Sequence, residues 1–423
     1  MIAAIKKNRD SLTRRSSAPY EIGLVVLLFL TWGTVFLDRM SLLYLAPFIA
    51  PDLRLSHTQV GLLVSGLAIA WALSGLVLGA ISDRIGRRPV LVPAVFAFSV
   101  LSWLSGVVRT FAELFTVRIL MGFAEGPTWS TITATVEESS ASERRGRNVG
   151  VVVSAAALVG LALAPVLTTQ IAARIGWRRA FFIAGVPGII LGLLLWKFVR
   201  EPERKSSLHR KPSWKEYLAL LRHRNVSLCC LAAAGFMTWL FVMSAFAPLY
   251  ITEVSKNTPT FAGLILGASG LGGFLWGWIL PWLSDFTGRT PALLFVAALS
   301  AVVPLTYQVP FLIGHPWLLA IAGFIANGGQ GIAALALVLV PTESVPAQFA
   351  ATAIGLSTLV GEVFGGTLAP AIAGNVADRF GLAAPLWIAA AGAVTVFCAG
   401  LFVRETAPRR RLVSVAHGTG PSE

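Results

Sequence analysis

The sequence predicts an all-α membrane protein with twelve transmembrane helices in two six-helix bundles, and three observations predict it. Hydrophobic residues make up 56% of the 423 and charged residues only 13%, about half the charged share of a soluble chain. The apolar residues come in runs long enough to cross a bilayer as helix. Two stretches of the second half also repeat stretches of the first.

The spans fall at roughly 21–49, 57–81, 90–108, 111–138, 147–173 and 178–199, then 225–252, 259–282, 290–309, 316–341, 347–374 and 384–404. Between the sixth and seventh lies the longest polar stretch, 200–224, rich in Lys, Arg, His and Pro. It reads as a cytoplasmic linker between a first bundle, 1–199, and a second, 225–423. The first residues are polar and basic (Lys6, Lys7, Arg9, Arg14, Arg15), and the apolar run after them is too long for a signal peptide. That run is expected to be a retained first helix, with the N-terminus in the cytoplasm. In this orientation Arg54, Arg109, Arg174, Arg178, Arg179, Lys256 and Arg379 lie outside, and Arg39 and Arg118 lie within the membrane. The rest of the 34 Lys and Arg fall on the cytoplasmic side, the asymmetry that sets topology in membrane proteins. Both termini are then cytoplasmic.

Composition excludes several functions. The net charge of +14 comes from short basic clusters between apolar runs, which is topology and not a nucleic-acid-binding face. Cys229, Cys230 and Cys398 make neither a disulfide framework nor a CxxC metal spacing. His57, His209, His223, His315 and His417 fall near loops or tails, no HExxH occurs, and no GxxxxGK[ST] loop marks an ATP-driven pump. The chain is therefore expected to be no enzyme, with no metal and no cofactor beyond a proton as coupling ion. Its partners are the lipid bilayer and a small solute, and it is expected to act as a monomer.

The repeat sits at two offsets. Ser82-Asp83-Arg84-Ile85-Gly86-Arg87-Arg88-Pro89 recurs as Ser284-Asp285-Phe286-Thr287-Gly288-Arg289-Thr290-Pro291, 202 residues later with five identities in eight. Gly160 with Pro165 recurs as Gly365 with Pro370, and Arg174-x-Gly176 as Arg379-x-Gly381, both 205 residues later. Repeats of this kind imply a duplicated six-helix unit, with substrate bound between the units near the midplane.

Charges inside the apolar spans are few. Asp38 and Arg39 interrupt the first, and Arg118 and Glu125 interrupt the fourth. Arg118 and Glu125 are two helical turns apart, so they leave one face roughly 10 Å apart along the axis. Helix 1 runs outward, placing Asp38 roughly 16 Å below its outer end; helix 4 runs inward, placing Arg118 roughly 10 Å and Glu125 roughly 21 Å below. One shared site follows from these depths. Intramembrane charges are costly and mark ion or substrate pathways. Asp38 and Glu125 are expected to carry protons, since burial favours a neutral carboxyl, an adjacent arginine favours the ionised form, and substrate can tip that balance. Arg39 and Arg118 offer planar forks for a carboxylate. The bland alternative, two ion pairs that only hold helices 1 and 4 together, is disfavoured because desolvation makes buried pairs poor stabilisers.

The second half is nearly free of charge within its spans. Glu362 could be a third proton site, a substrate contact, or an acid satisfied by a neighbouring helix. Asn327 and Gln330, bracketed by Gly328, Gly329 and Gly331, fit a cavity-lining segment, although helix packing also explains the glycines. Tyr44, Trp239, Phe241, Phe246, Tyr250, Trp276 and Trp278 supply aromatic surface. Most are expected to face lipid or the interface, with Tyr44 among those reaching substrate.

Gly79-x-x-x-Asp83-Arg84-x-Gly86-Arg87-Arg88 matches the loop signature of the major facilitator superfamily, which the chain resembles, and the copy around Asp285 and Arg289 stands where the second half should carry one. The resemblance implies the major facilitator fold and a conformational latch at Gly79, Asp83, Arg84, Gly86, Arg87, Arg88, Asp285 and Arg289. Asp83 would cap a helix end and pair with arginines. A channel would not need such a latch in each half. Within the superfamily, Leu37-Asp38-Arg39-x-x-Leu42, Arg118-x6-Glu125-Gly126, Gly146-Arg147-Asn148, Gly176-Trp177-Arg178 and Glu201-Pro202 resemble the anion:cation symporter family. Its members carry organic anions such as sugar acids or aromatic carboxylates, mostly with protons. The resemblance thus implies a proton symporter of a small organic anion in a bacterial inner membrane. Spinster-type lipid transporters share the helix-1 Asp-Arg and the helix-4 Arg…Glu spacing, so an exporter of an amphiphile or lysolipid is the alternative.

Overall fold

The computed structural model describes residues 18–201, 219–346 and 349–407. Most of the linker, the first residues, the C-terminal tail, His209 and His417 lie outside the described residues.

Twelve long helices account for nearly all of the described chain, and no strand occurs among the described residues. The first six are α1 (Ala18–Leu53), α2 (His57–Ile85), α3 (Arg88–Ser105), α4 (Phe111–Ser139), α5 (Arg145–Ile175) and α6 (Trp177–Phe198). The second six are α7 (Arg224–Val254), α8 (Pro259–Thr287), α9 (Arg289–Thr306), α10 (Pro316–Glu343), α11 (Ala350–Phe380) and α12 (Ala383–Phe402). Eleven are long and apolar enough to cross a membrane by composition; the other, α4, holds Arg118 and Glu125.

Local chemistry starts and stops these helices. Ser56 caps α2 in a reciprocal box with Gln59, and Thr110 and Thr258 cap α4 and α8 through their hydroxyls, each satisfying an otherwise orphaned N–H. Gly86 and Gly288, at φ 115° and 104°, make the sharp turns into α3 and α9, a conformation closed to side-chain-bearing residues. Within α5 and α11 the ladder widens to π-helical turns at Ala156–Leu163 and Gly361–Leu368. These two segments stand 205 residues apart, so the duplication extends to a backbone irregularity.

Each bundle packs internally, α2 on α4 and α3 on α6 in the first, α7 on α12 and α8 on α10 in the second. The bundles meet through α1 with α7, α2 with α11, and α5 with α8. At the end bearing His57 this seam is very close. A Cβ at Gly61 would lie 2.2 Å from the Pro370 carbonyl oxygen, and one at Gly270 2.0 Å from that of Leu161. Asp378 of α11 accepts from the backbone N–H groups of His57 and Thr58, both at 2.9 Å, and from the Thr58 hydroxyl at 2.6 Å.

Candidate functional site

Three groups of the expected residues occupy three neighbouring places. Asp38, Arg118 and Glu125 lie inside the first bundle, all buried. Asp38 accepts from Ser102 of α3 at 2.5 Å through Oδ1, and its Oδ2 has no hydrogen-bond partner. Arg118 donates to the backbone carbonyl of Arg39 at 3.0 Å and contacts Met121 Sδ at 3.1 Å. Neither carboxylate oxygen of Glu125 has a hydrogen-bond partner among the described residues. Arg118 and Glu125, two turns apart on one face, therefore make no direct hydrogen bond with each other. The guanidinium turns toward α1 instead, with Asp38, Glu125 and Arg39 all within its electrostatic reach.

Arg39 leaves α1 toward the second bundle and pairs there with Glu362 of α11, at 3.2 Å. Of the three roles open to Glu362, contact with a neighbouring helix is the one the geometry displays. The guanidinium lies among the rings of Phe36, Trp71 and Phe241, which stabilise a cation removed from water.

Tyr44, Asn327 and Gln330 share a small cavity that is partly open to solvent. Its wall also takes Trp239, Met243 and Ser244 from α7, Ser269 from α8, and Tyr307, which follows α9. Asn327 breaks α10 at ψ 84°, bonding Ser269 Oγ at 3.0 Å and accepting from the Gly329 N–H at 3.2 Å. The aromatic expectation needs correction. Trp239, Phe241, Phe246 and Tyr250 are buried in protein, and Trp276 is half-buried with its indole N–H on the Ile325 carbonyl; of the aromatic residues named in α7 and α8, only Trp278 is exposed. Packing between bundles, and not lipid, takes up α7.

At the other end of the molecule from His57 the latch residues gather. Arg87 binds Asp83 at 2.6 Å and Glu138 of α4 at 2.9 Å. Gly79 lets α2 approach Ser130 of α4, Arg88 reaches the Trp196 carbonyl, and Arg84 is exposed. Glu201 caps α3, its carboxylate accepting from the Arg87 and Arg88 N–H groups at 2.6 and 3.0 Å. In the second copy, Arg289 binds Asp285 and Glu343, both at 2.8 Å, and Glu405 takes the Arg289 and Thr290 N–H groups. Sequence reasoning missed Glu138, Glu201, Glu343 and Glu405 as partners. Their own recurrence, Glu138 with Glu343 and Glu201 with Glu405, at spacings like those already noted, was the available signal. Ser102 and Trp71 carried no such mark.

Two duplicated helix bundles, meeting at a seam with buried charges and a cavity, define a membrane transporter architecture. The family model of the Major Facilitator Superfamily matches residues 27–366, and the chain belongs to that superfamily, whose members are multi-pass membrane transporters and not enzymes. The chain is similar to the hexuronate transporter of Bacillus subtilis, 30% identical over 271 residues, a match covering 60% of this chain and 64% of that one. The chain therefore spans less than two thirds of that relative's length. It is also similar to the probable galactarate/D-glucarate transporter of Escherichia coli, 24% identical over 415 residues, covering 86% and 88%. Among solved structures, a bacterial homologue of the human lysosomal transporter Spinster, inward-facing and unoccupied, superposes with a TM-score of 0.70 at 19% identity, covering 92% of this chain and 95% of that one. At that identity the likeness concerns the fold.

Proposed function

We propose that the protein is a secondary transporter that moves a small organic anion, a sugar acid or comparable carboxylate, across a bacterial inner membrane by proton symport with alternating access. The observation that carries this reading is the pair of buried guanidiniums, Arg39 at the seam and Arg118 inside the first bundle. Arg39 and Arg118 each keep an Nε–H without a partner among the described residues, and the polar groups that line the cavity, Tyr44, Asn327 and Gln330, suit hydroxyls. A carboxylate brought there loses its hydration and needs positive, hydrogen-bonding partners. The relatives named for hexuronate and galactarate/D-glucarate support the same substrate class. Asp38 and Glu125 take the protons, because one oxygen of Asp38 and both of Glu125 have no hydrogen-bond partner among the described residues, and such a buried carboxylate is tolerated in its ionised form only while a cation offsets it. The charge asymmetry supports cytoplasmic termini, with the Arg87 end facing inward and the transporter acting as a monomer.

The test is uptake into proteoliposomes, with a panel of sugar acids and aromatic acids and an imposed proton gradient. One of the acids accumulates against its gradient, and accumulation collapses when a protonophore is added. Transport of lysolipid in place of every acid would instead favour an amphiphile exporter, which the largely apolar cavity wall would also suit.

A further inference from the structure

Arg39 stands where the bundles meet, and the chain already supplies it with a carboxylate. Glu362 places Oε2 3.2 Å and Oε1 3.4 Å from one terminal nitrogen of the guanidinium, and both side chains are buried. Three features suit a carboxylate that comes and goes. The ring centroids of Phe36, Trp71 and Phe241 lie 5.9, 5.1 and 4.8 Å from the guanidinium carbon, so the cation stays favourably surrounded when the acid leaves. Glu362 engages a single nitrogen, and the Nε–H is unused, which leaves a better-aligned, two-pronged contact available to another carboxylate. Finally, Glu362 opens the π-helical segment Gly361–Leu368, a backbone form common at functional sites. Gly366 in that segment clears the space the acid fills, since a Cβ there would lie 2.6 Å from Glu362 Oε2.

Charge makes the arrangement consequential. Between the two rims, the buried charged side chains of the described residues include three carboxylates, Asp38, Glu125 and Glu362, against two guanidiniums, Arg39 and Arg118. A substrate anion adds a further negative charge to a site already rich in acid, which is strongly unfavourable in a buried setting. The position 205 residues before Glu362 is Ala157, so the first bundle has no counterpart to this acid.

We propose that Glu362 is a built-in counter-anion, which holds Arg39 in the empty transporter and cedes it to the substrate carboxylate on taking up a proton. The inference rests on the anion-transport reading above. In the exchange a proton from water binds a Glu362 oxygen, forming an O–H bond, and the ionic contact to Arg39 breaks. The substrate carboxylate replaces that contact, and the net charge of the site is unchanged. One proton therefore enters with each carboxylate bound at Arg39. Arg39 is the charged group facing Glu362. The α2 and α7 helices packed on the same segment present Ser65 and Ala68, Met237 and Phe241, none of which titrates.

Binding of D-glucuronate and D-glucarate to the purified full-length protein in detergent tests this, in mildly acidic and mildly alkaline buffer, for wild type, Glu362→Gln and Glu362→Asp. In alkaline buffer Glu362→Gln binds roughly tenfold more tightly than wild type, and its affinity falls with pH by one proton less. Glu362→Asp, which keeps the acid but withdraws it from Arg39, also binds more tightly yet keeps the wild-type pH slope; it decides the matter should Glu362→Gln fail to elute as folded protein. Wild-type affinity and wild-type slope in the folded variants overturn the counter-anion role while leaving anion transport standing. If neither wild type nor variants bind either acid, the anion reading falls and the inference with it.

Discussion

At the rim, Arg87 and Arg289 hold equivalent partners in the two bundles. Each takes the aspartate one turn back (Asp83, Asp285), a glutamate of the fourth helix of its bundle (Glu138, Glu343) and a serine five residues back (Ser82, Ser284). Each bundle also caps its third helix from behind with a glutamate after its sixth, Glu201 or Glu405. In the core the equivalence ends. The positions 205 residues after Arg118 and Glu125 are Gly323 and Gln330, an empty place and a neutral amide. The residues about 205 after Asp38 and Arg39 are Val242, Met243 and Ser244. The contrast separates two demands. Both bundles keep the rim network, which suits a demand common to the two. A buried charge is costly wherever it sits, and among the described residues four of the five between the rims stand in the first bundle. The second bundle is then free to line the cavity with neutral polar groups.

The largest effect is expected where the contrast is sharpest. Arg118→Lys keeps the charge but loses the planar fork, and Arg118→Ala strands Asp38 and Glu125 near no second cation of their own bundle's core except Arg39. Anion binding should fall by on the order of a hundredfold or more in the alanine variant and nearly as far in the lysine variant, in line with the loss of one partner of a buried charge pair. Near-normal binding of the transported acid by both variants would remove Arg118 from the site.

Much of this was legible in the residues. Run lengths and the repeated Ser-Asp…Gly-Arg segments foretold the fold, and the four intramembrane charges of the first half pointed to α1 and α4, where all four are buried. What stayed hidden was who touches whom. Arg39 and Glu362 are 323 residues apart, and nothing local ties them. The aromatic residues of α7 were assigned to lipid because, in a helix apolar all round, period alone does not separate the face toward lipid from the face toward protein. The second rim copy looked degenerate for a related reason. It departs from the first at Phe286 and Thr290 in place of Arg84 and Arg88, whereas every residue of its ion network is kept.

The rim supplies the intermediate effects. Asp83→Asn and Asp285→Asn should each lower the exchange rate by roughly tenfold, with anion affinity within about twofold of wild type, if the network biases a conformational equilibrium and takes no part in binding. Arg289→Ala should be the more damaging of the two arginine truncations: its side chain is 5% exposed against 17% for Arg87, and its loss leaves Asp285 and Glu343 without their shared cation. Exchange rates and binding, measured on the same four proteins, check both statements; a loss of affinity at unchanged exchange would reverse the assignment.

The smallest effect should come from making the two rims look alike. Phe286→Arg and Thr290→Arg restore the first-half residues at positions outside the ion network, and Phe286 is exposed. Transport should stay within about twofold of wild type, as is usual for surface changes, and a large loss in a rate assay would mean that the difference between the copies is functional.

The central claim is that the acids of the first bundle couple the proton to the anion. Its most direct test compares gradient-driven accumulation with anion counterflow in proteoliposomes, for Asp38→Asn and for Glu125→Gln. Both variants should exchange anion across the membrane and lose accumulation driven by the proton gradient. Wild-type accumulation in both would contradict the account.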